Sequence, residues 1–251
     1  MYGAKYTYSD KLVNVSTSNV VSEMWLNYAE AIRDERESEY YDSADEINIG
    51  SVSASAMSEG KVVRSIDSTM DVNLTTGSNI NMGVVATTSN RSLSESITNI
   101  AKYNITSIGK SNNNIGGIVG NNVAGGEIKN ATAIIDDGIT FKGSIDKDEN
   151  NIETKQSRLA IGGIAGVNSG LVVASKAVGN WSVSDCLLAT SGAIAGAGYN
   201  GLYIKDLSDI TATIDNCDHV YSATLVGSTI GGMINSCMVK YTADITATRQ
   251  D

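Results

Sequence analysis

The feature that most constrains this chain is a repeat. Sliding the stretch IGGIAGVNSGLVVAS, Ile161 to Ser175, along the sequence finds six imperfect copies, beginning at Ile49, Asn81, Ile115, Ile161, Ser191 and Ser222. The steps between those starts are 32, 34, 46, 30 and 31 residues. The fourth position of each copy is apolar: Val52, Val84, Ile118, Ile164, Ile194 and Leu225. Two residues later stands a tiny one, Ala54, Ala86, Gly120, Gly166, Gly196 and Gly227, and a turn residue then precedes a fresh apolar run such as Val172-Val173 or Tyr203-Ile204. Self-similarity at such a period marks a stack of like units that bury one another's faces. The apolar runs are short, rich in Val, Ile and Thr, and broken by Gly and Asn, which selects strands joined by turns over paired helices. The expected fold is all-β, a parallel β-helix or β-solenoid of about six coils, with one N-terminal α-helix. A coil of about 30 residues at roughly 3.3 Å per strand residue has a perimeter of roughly 100 Å, suited to about three faces.

The 251 residues include no proline. A coil inside a stack pairs above and below, and proline has no N–H to give, so every internal strand excludes it. The recurrent glycine marks a place where the backbone turns sharply or where a side chain would meet the opposite wall.

Two segments, GGIVGNNVAGGEIKN (Gly116 to Asn130) and GGIAGVNSGLVVAS (Gly162 to Ser175), resemble the GLUG motif, a short repeat of bacterial surface and secreted proteins. Its pattern is a Gly-Leu-x-Gly core, then Asn-x-Gly, then an alternating strand. The copies at Ser191 and Ser222 match less closely, and those at Ile49 and Asn81 have lost most glycines. The resemblance implies a β-solenoid passenger or stalk at the cell surface or outside the cell. It carries no catalytic residue across, because the motif has none.

Charge bounds the partners. With 28 acidic and 18 basic residues the net charge is −10, and no basic cluster suited to phosphate is visible, so nucleic acid and anionic lipid are disfavoured. No apolar run approaches the roughly 20 residues of a membrane span, and the first fourteen residues show no apolar centre of the kind a signal peptide has. Three cysteines do not make a disulfide framework. Cys186 and Cys217 nevertheless lie one coil length apart, which stacks them about 4.8 Å from each other, as a disulfide or as two buried thiols.

Residues 1–46 differ from the rest and are expected to cap the solenoid of 47–251. A helix is expected over Asn19 to Glu39, with Val21, Trp25, Tyr28 and Ile32 on one face, closing the first coil or meeting another subunit. A polar insertion at about 143–157 lengthens the third coil. Its Asp146, Asp148 and Asn150 imitate the start of a calcium loop, but Asn151 and Ser157 stand where that loop needs Gly and Glu, so a protruding hairpin is expected. Polar residues after the turns, Asn130, Ser175, Asp206 and Ser236, are expected to form a hydrogen-bonded ladder. Ile210-Thr211-Ala212-Thr213 and Ile245-Thr246-Ala247-Thr248 repeat a threonine alternation about one coil apart.

Recognisable catalytic chemistry is sparse. His219 is the sole histidine and reads as a loop residue, no phosphate-binding loop precedes a helix, and the paired carboxylates, Asp136-Asp137 and Asp206 with Asp209, belong to acids scattered over turn positions. The expectation is a non-enzymatic extracellular or cell-surface module with a structural, adhesive or self-assembly role and no cofactor or metal. It would contact another protein or a glycan surface, or associate with itself through the solenoid ends or the N-terminal helix. The alternatives are a carbohydrate-active β-helix resembling polysaccharide lyases or hydrolases, and an ice-binding solenoid.

Overall fold

The short apolar runs become short strands, and the chain bends where Gly, Asn and Ser separate them. The computed structural model describes residues 11–25, 46–50, 62–90, 92–147 and 153–247. Strand β1 (Lys11–Trp25) comes first, and coil one holds β2 (Glu46–Ile49) and β3 (Val62–Thr76). Coil two runs through β4 (Asn79–Gly83), β5 (Ala86–Ser89), β6 (Ser92–Ser94) and β7 (Ile97–Ser107). Coil three repeats that order as β8 (Asn112–Gly116), β9 (Val119–Asn122), β10 (Glu127–Lys129) and β11 (Thr132–Lys142), then adds a hairpin, β12 (Ile145–Lys147) and β13 (Glu153–Lys155). Coil four is β14 (Arg158–Gly162), β15 (Ala165–Asn168), β16 (Leu171–Val173) and β17 (Lys176–Ser184). Coil five is β18 (Leu188–Gly192), β19 (Ala195–Tyr199), β20 (Leu202–Ile204) and β21 (Leu207–Cys217). Coil six is β22 (His219–Ala223), β23 (Val226–Ile230), β24 (Met233–Asn235) and β25 (Met238–Ala247).

Stacking these coils produces three sheets. The first sheet orders β2-β4-β8-β14-β18-β22, and the second β23-β19-β15-β9-β5. The third has twelve strands, because β3 pairs with both β6 and β7 and so joins the short and long strands of later coils into one bent surface. All of this stacking is parallel, while the β12–β13 hairpin is antiparallel. Apolar side chains from the three sheets fill the interior, including Ile100, Tyr103, Phe141, Ile161, Trp181 and Ile210. Each fully buried side chain of this size contributes roughly 1.5–3 kcal/mol.

The amide of Ile118 donates to the Ile164 carbonyl, Ile164 to Ile194 and Ile194 to Leu225, so these four stand in one buried column. Coil two enters that column with Val85, one residue later than the repeat spacing suggests, because Met82 rather than Asn81 pairs with Ile115. Val84 is buried beside the column, and Thr87 rather than Ala86 stands at the position of Gly120. The second copy keeps the bend glycine, Gly83, opposite Gly116, but has Thr87 where coils three to six have the seam glycine. Val52 and Ala54 lie outside the described residues.

The helix expected over Asn19–Glu39 crosses the same boundary. Asn19–Trp25 belong to β1, which runs parallel to β3, and 26–45 fall outside. Val21 and Trp25 therefore occupy strand positions opposite Val72 and Thr75, and Tyr28 and Ile32 are not among the described residues. The threonine rows do not stack as the alternation suggests: Thr211 pairs with Thr242 and Thr246 with Asp215, so no flat Thr-x-Thr array forms between coils five and six.

Candidate functional site

The first and second sheets meet where each coil bends after a glycine. A Cβ placed on Gly116 would come within 2.7 Å of the Gly166 amide nitrogen, and one on Gly162 within 2.5 Å of Ala195 Cα. A Cβ on Gly196 would stand 2.7 Å from the Ala160 carbonyl carbon. The two sheets are thus in backbone contact along a seam that includes Gly120, Gly166, Gly196 and Gly227, much closer than the usual 10 Å between packed sheets. A side chain at these positions has nowhere to go.

Beside this seam lies a groove of about 240 Å³ whose walls belong to the two sheets. The first sheet contributes Asn112 and Asn114, Arg158 and Ala160, Leu188 and Thr190, and Tyr221, from coils three to six in turn. The second contributes Val167, Ala197, Tyr199 and Ser228. Ala160, Thr190 and Ala197 are buried, whereas Arg158, Tyr199 and Tyr221 are exposed. Arg158 is the only charged side chain in the lining.

Sequence reasoning did not single out these residues, although a signal was present. Asn114, Ala160, Thr190 and Tyr221 each immediately precede a copy start, and Val167, Ala197 and Ser228 each stand six residues after one. The two columns belong to different sheets, and only the bend at the glycines brings them together.

The motif's asparagine also acquires a mechanism. Asn168 Oδ1 accepts the Gly170 amide at 3.1 Å, the side-chain-to-backbone turn that Asn-x-Gly encodes, and also the Asn122 Nδ2 hydrogen at 2.7 Å from the coil below. Both asparagines are fully buried. One side chain therefore closes the turn within its coil and bonds to the next. The matched segment, residues 111–136, spans β8, the glycine bend, β9, β10 and the start of β11. It is a GLUG motif. The GLUG segment thus supplies one wall strand of the groove, β8, together with part of the seam beside it. No curated protein and no solved structure matches the chain.

The other predicted positions lie elsewhere. At one corner the backbone bonds place Ser96, Ala131, Ser175, Asp206 and Cys237 in a single inward column. Asp206 Oδ1 accepts the Ser175 amide at 2.9 Å, and Ser175 Oγ accepts the Ala131 amide at 3.3 Å. Asn130 and Ser236, expected in this ladder, sit one residue earlier in the left-handed corner and are exposed. Burial pushes Asp206 up from 3.8 to about 6, against the backbone hydrogen bonds from Ser175 and Ile204 and the Cys237 thiol. Asp209 is exposed and pairs with Lys240 at 3.0 Å, so the two acids do not share a surface.

Cys186 and Cys217 are free, fully buried and adjacent at a second corner, where Asp185 and Asn216 also adopt positive φ. The hydrogen bond between the thiols pushes Cys186 well up and draws Cys217 down, and burial adds to the first effect while opposing the second. The inserted hairpin reaches this corner through Lys155, whose Nζ lies 2.6 Å from Asp218 Oδ1 with both side chains largely buried. Residues Asp148 and Asn150 of the imperfect calcium loop are outside the described residues, and Asp146 is exposed. Among the described residues no cluster of three or more His, Cys, Asp or Glu side chains is arranged to hold a metal, and no helix is long and apolar enough to cross a membrane. His219 is exposed at the start of β22.

Proposed function

We propose that the chain is a non-enzymatic binding module of the cell exterior, in which the solenoid is a rigid rod and the lateral groove its contact surface. The observation that carries this reading is the groove itself. It crosses four coils, its wall strands β8, β14, β15, β18 and β19 are each paired on both sides, and its lining includes no Asp, Glu or His. A surface of that kind can hold a ligand in place and lacks the carboxylate pair that a glycoside hydrolase uses. The GLUG motif supports the extracellular setting. The carbohydrate-active alternative has weaker support, since Asp206 is sealed inside a corner and Asp209 is occupied by Lys240.

Beads coated with the full chain should adhere to cells or extracellular matrix and release no reducing sugar from a polysaccharide panel. Turnover of any of those polysaccharides, lost in Asp206→Asn or Asp209→Asn, would replace this reading with the enzymatic one. A second role, self-association, draws on coil six, where Ile230, Ile234 and Met238 are 68%, 57% and 74% exposed on the last described strands. Sedimentation of the full chain should then show concentration-dependent assembly that Met238→Lys weakens.

A further inference from the structure

Resting on the reading of the groove as a contact surface, we propose that it takes a short segment of an acidic polysaccharide, with a uronate carboxylate on Arg158 and pyranose faces on Tyr199 and Tyr221. The two phenol rings are 51% and 55% exposed, so about half of each is free to be covered. They come from different sheets, Tyr199 from β19 and Tyr221 from β22, and both line the one groove. Between them the bed is made of small side chains, Ala160, Thr190 and Ala197, each at most 8% exposed. A flat bed with aromatic flanks suits a ring that has an apolar C–H face and a polar rim.

The sign of the ligand follows from Arg158. Its guanidinium is the only charge in the lining, and a guanidinium presents paired N–H donors matched to a carboxylate. The net charge of −10 opposes a polyanion at long range, but salt screens that repulsion beyond a Debye length of about 8 Å and leaves the local attraction at Arg158 to decide binding. The length of the ligand follows from the stack. From Asn112 in coil three to Tyr221 in coil six there are three steps of about 4.8 Å, or roughly 14 Å, which suits a segment of a few sugars laid across the coils.

The test compares two trimers that differ only in carboxylate against hydroxymethyl, a β-1,4-glucuronan trimer and cellotriose, by calorimetric titration of the full chain. The acidic trimer should bind at least tenfold more tightly than cellotriose. Arg158→Gln should abolish that preference, and Tyr199→Ala and Tyr221→Ala should each weaken binding at least tenfold, with an unchanged thermal midpoint as the sign of an intact fold. Lys240→Gln, an exposed cation paired to Asp209 on the third sheet, should change nothing. Equal binding of the two trimers, equal binding of a hexaglutamate peptide, no binding of either trimer, or tyrosine variants that bind as the parent does would each overturn the proposal. If the glucuronan fails while coated beads still adhere, the ligand assignment falls and the module reading stands; if the beads fail while the trimer binds, the reverse holds.

Discussion

The glycine seam and the long third sheet hold the same coils together by opposite means. Along the third sheet, large side chains fill space: Tyr103, Phe141 and Trp181 are each buried to 2% exposure or less, and Trp181 Nε1 donates to Ser191 Oγ at 2.9 Å across the interior. Ser191 Oγ in turn meets the Tyr241 hydroxyl at 2.8 Å, which reaches Ser222 Oγ at 2.9 Å. Along the seam the absence of side chains lets two sheets touch. The first wall can lose a side chain and keep its backbone, whereas the second cannot gain one. The difference explains why the motif is written in glycines: it records an exclusion, while the apolar positions record only a preference for volume.

An aliphatic side chain placed in the seam should do the most damage. Gly166→Val adds apolar surface, yet its Cβ would stand 2.5 Å from the Ile115 amide nitrogen and 2.8 Å from the Asn114 carbonyl carbon, both of them backbone. The sheets must part along several rungs, so the loss is expected to exceed about 5 kcal/mol and to leave no cooperative unfolding transition. Trp181→Ala, which removes the largest fully buried side chain among the described residues, should cost less, about 3–5 kcal/mol, and retain a transition. Thermal melts of the two variants side by side decide the matter, and a Gly166→Val protein that melts above Trp181→Ala would refute the account of the seam.

A smaller effect separates the corners from both walls. The folded chain raises Asp206 from 3.8 to about 6 chiefly by burying it, so the fold favours the protonated acid. The native state then holds more protons than the unfolded state between those values, and the contribution to stability falls as pH rises through the interval and is level above it. Asp206→Asn keeps an oxygen for the Ser175 amide without the charge. It should raise stability at pH 7 by roughly 1–3 kcal/mol relative to the parent and by little at pH 4. Denaturant midpoints at the two pH values measure this. An equal effect at both would show that packing in the column, and not ionisation, sets the difference.

How much of this was legible follows from what each residue does. Strands, parallel stacking and the column of Ile118, Ile164 and Ile194 were readable because the spacing of apolar and tiny residues repeats in every well-preserved coil. Coil two slipped by one, Val85 for Val84, because its seam position holds Thr87, although Gly83, which pairs with Gly116, still marked the true register. The polar ladder was half readable: Ser175 and Asp206 belong to it, but Asn130 and Ser236 turn outward, since a left-handed corner residue reverses the alternation that a strand would follow. The groove's two columns had fixed offsets in the repeat, but that they face each other was not legible. Tyr199 and Tyr221 share no offset in the repeat, and they meet only because one sheet folds onto another at a bend whose angle no local pattern encodes.

The smallest effect tests that corner. Glu95, Asn130, Ala174, Lys205 and Ser236 all have φ between 50° and 57°, one in each of coils two to six, though their side chains share neither charge nor size. The angle must therefore be imposed by the stack, in which the Ala174 amide donates to the Ile204 carbonyl and the Asn130 amide to that of Val173. For an alanine the left-handed conformation costs roughly 1–2 kcal/mol, and a glycine there avoids the cost while giving back about 0.5–1 kcal/mol in unfolded-chain entropy. Ala174→Gly should accordingly stabilise the protein by about 0.5–1 kcal/mol, raising the denaturant midpoint at unchanged slope. Glycine would then be favourable at the corner for its freedom and indispensable at Gly166 for its size, two distinct reasons for one residue type. A loss of stability in Ala174→Gly would mean that the methyl group packs usefully at the corner and that the backbone angle there is not strained.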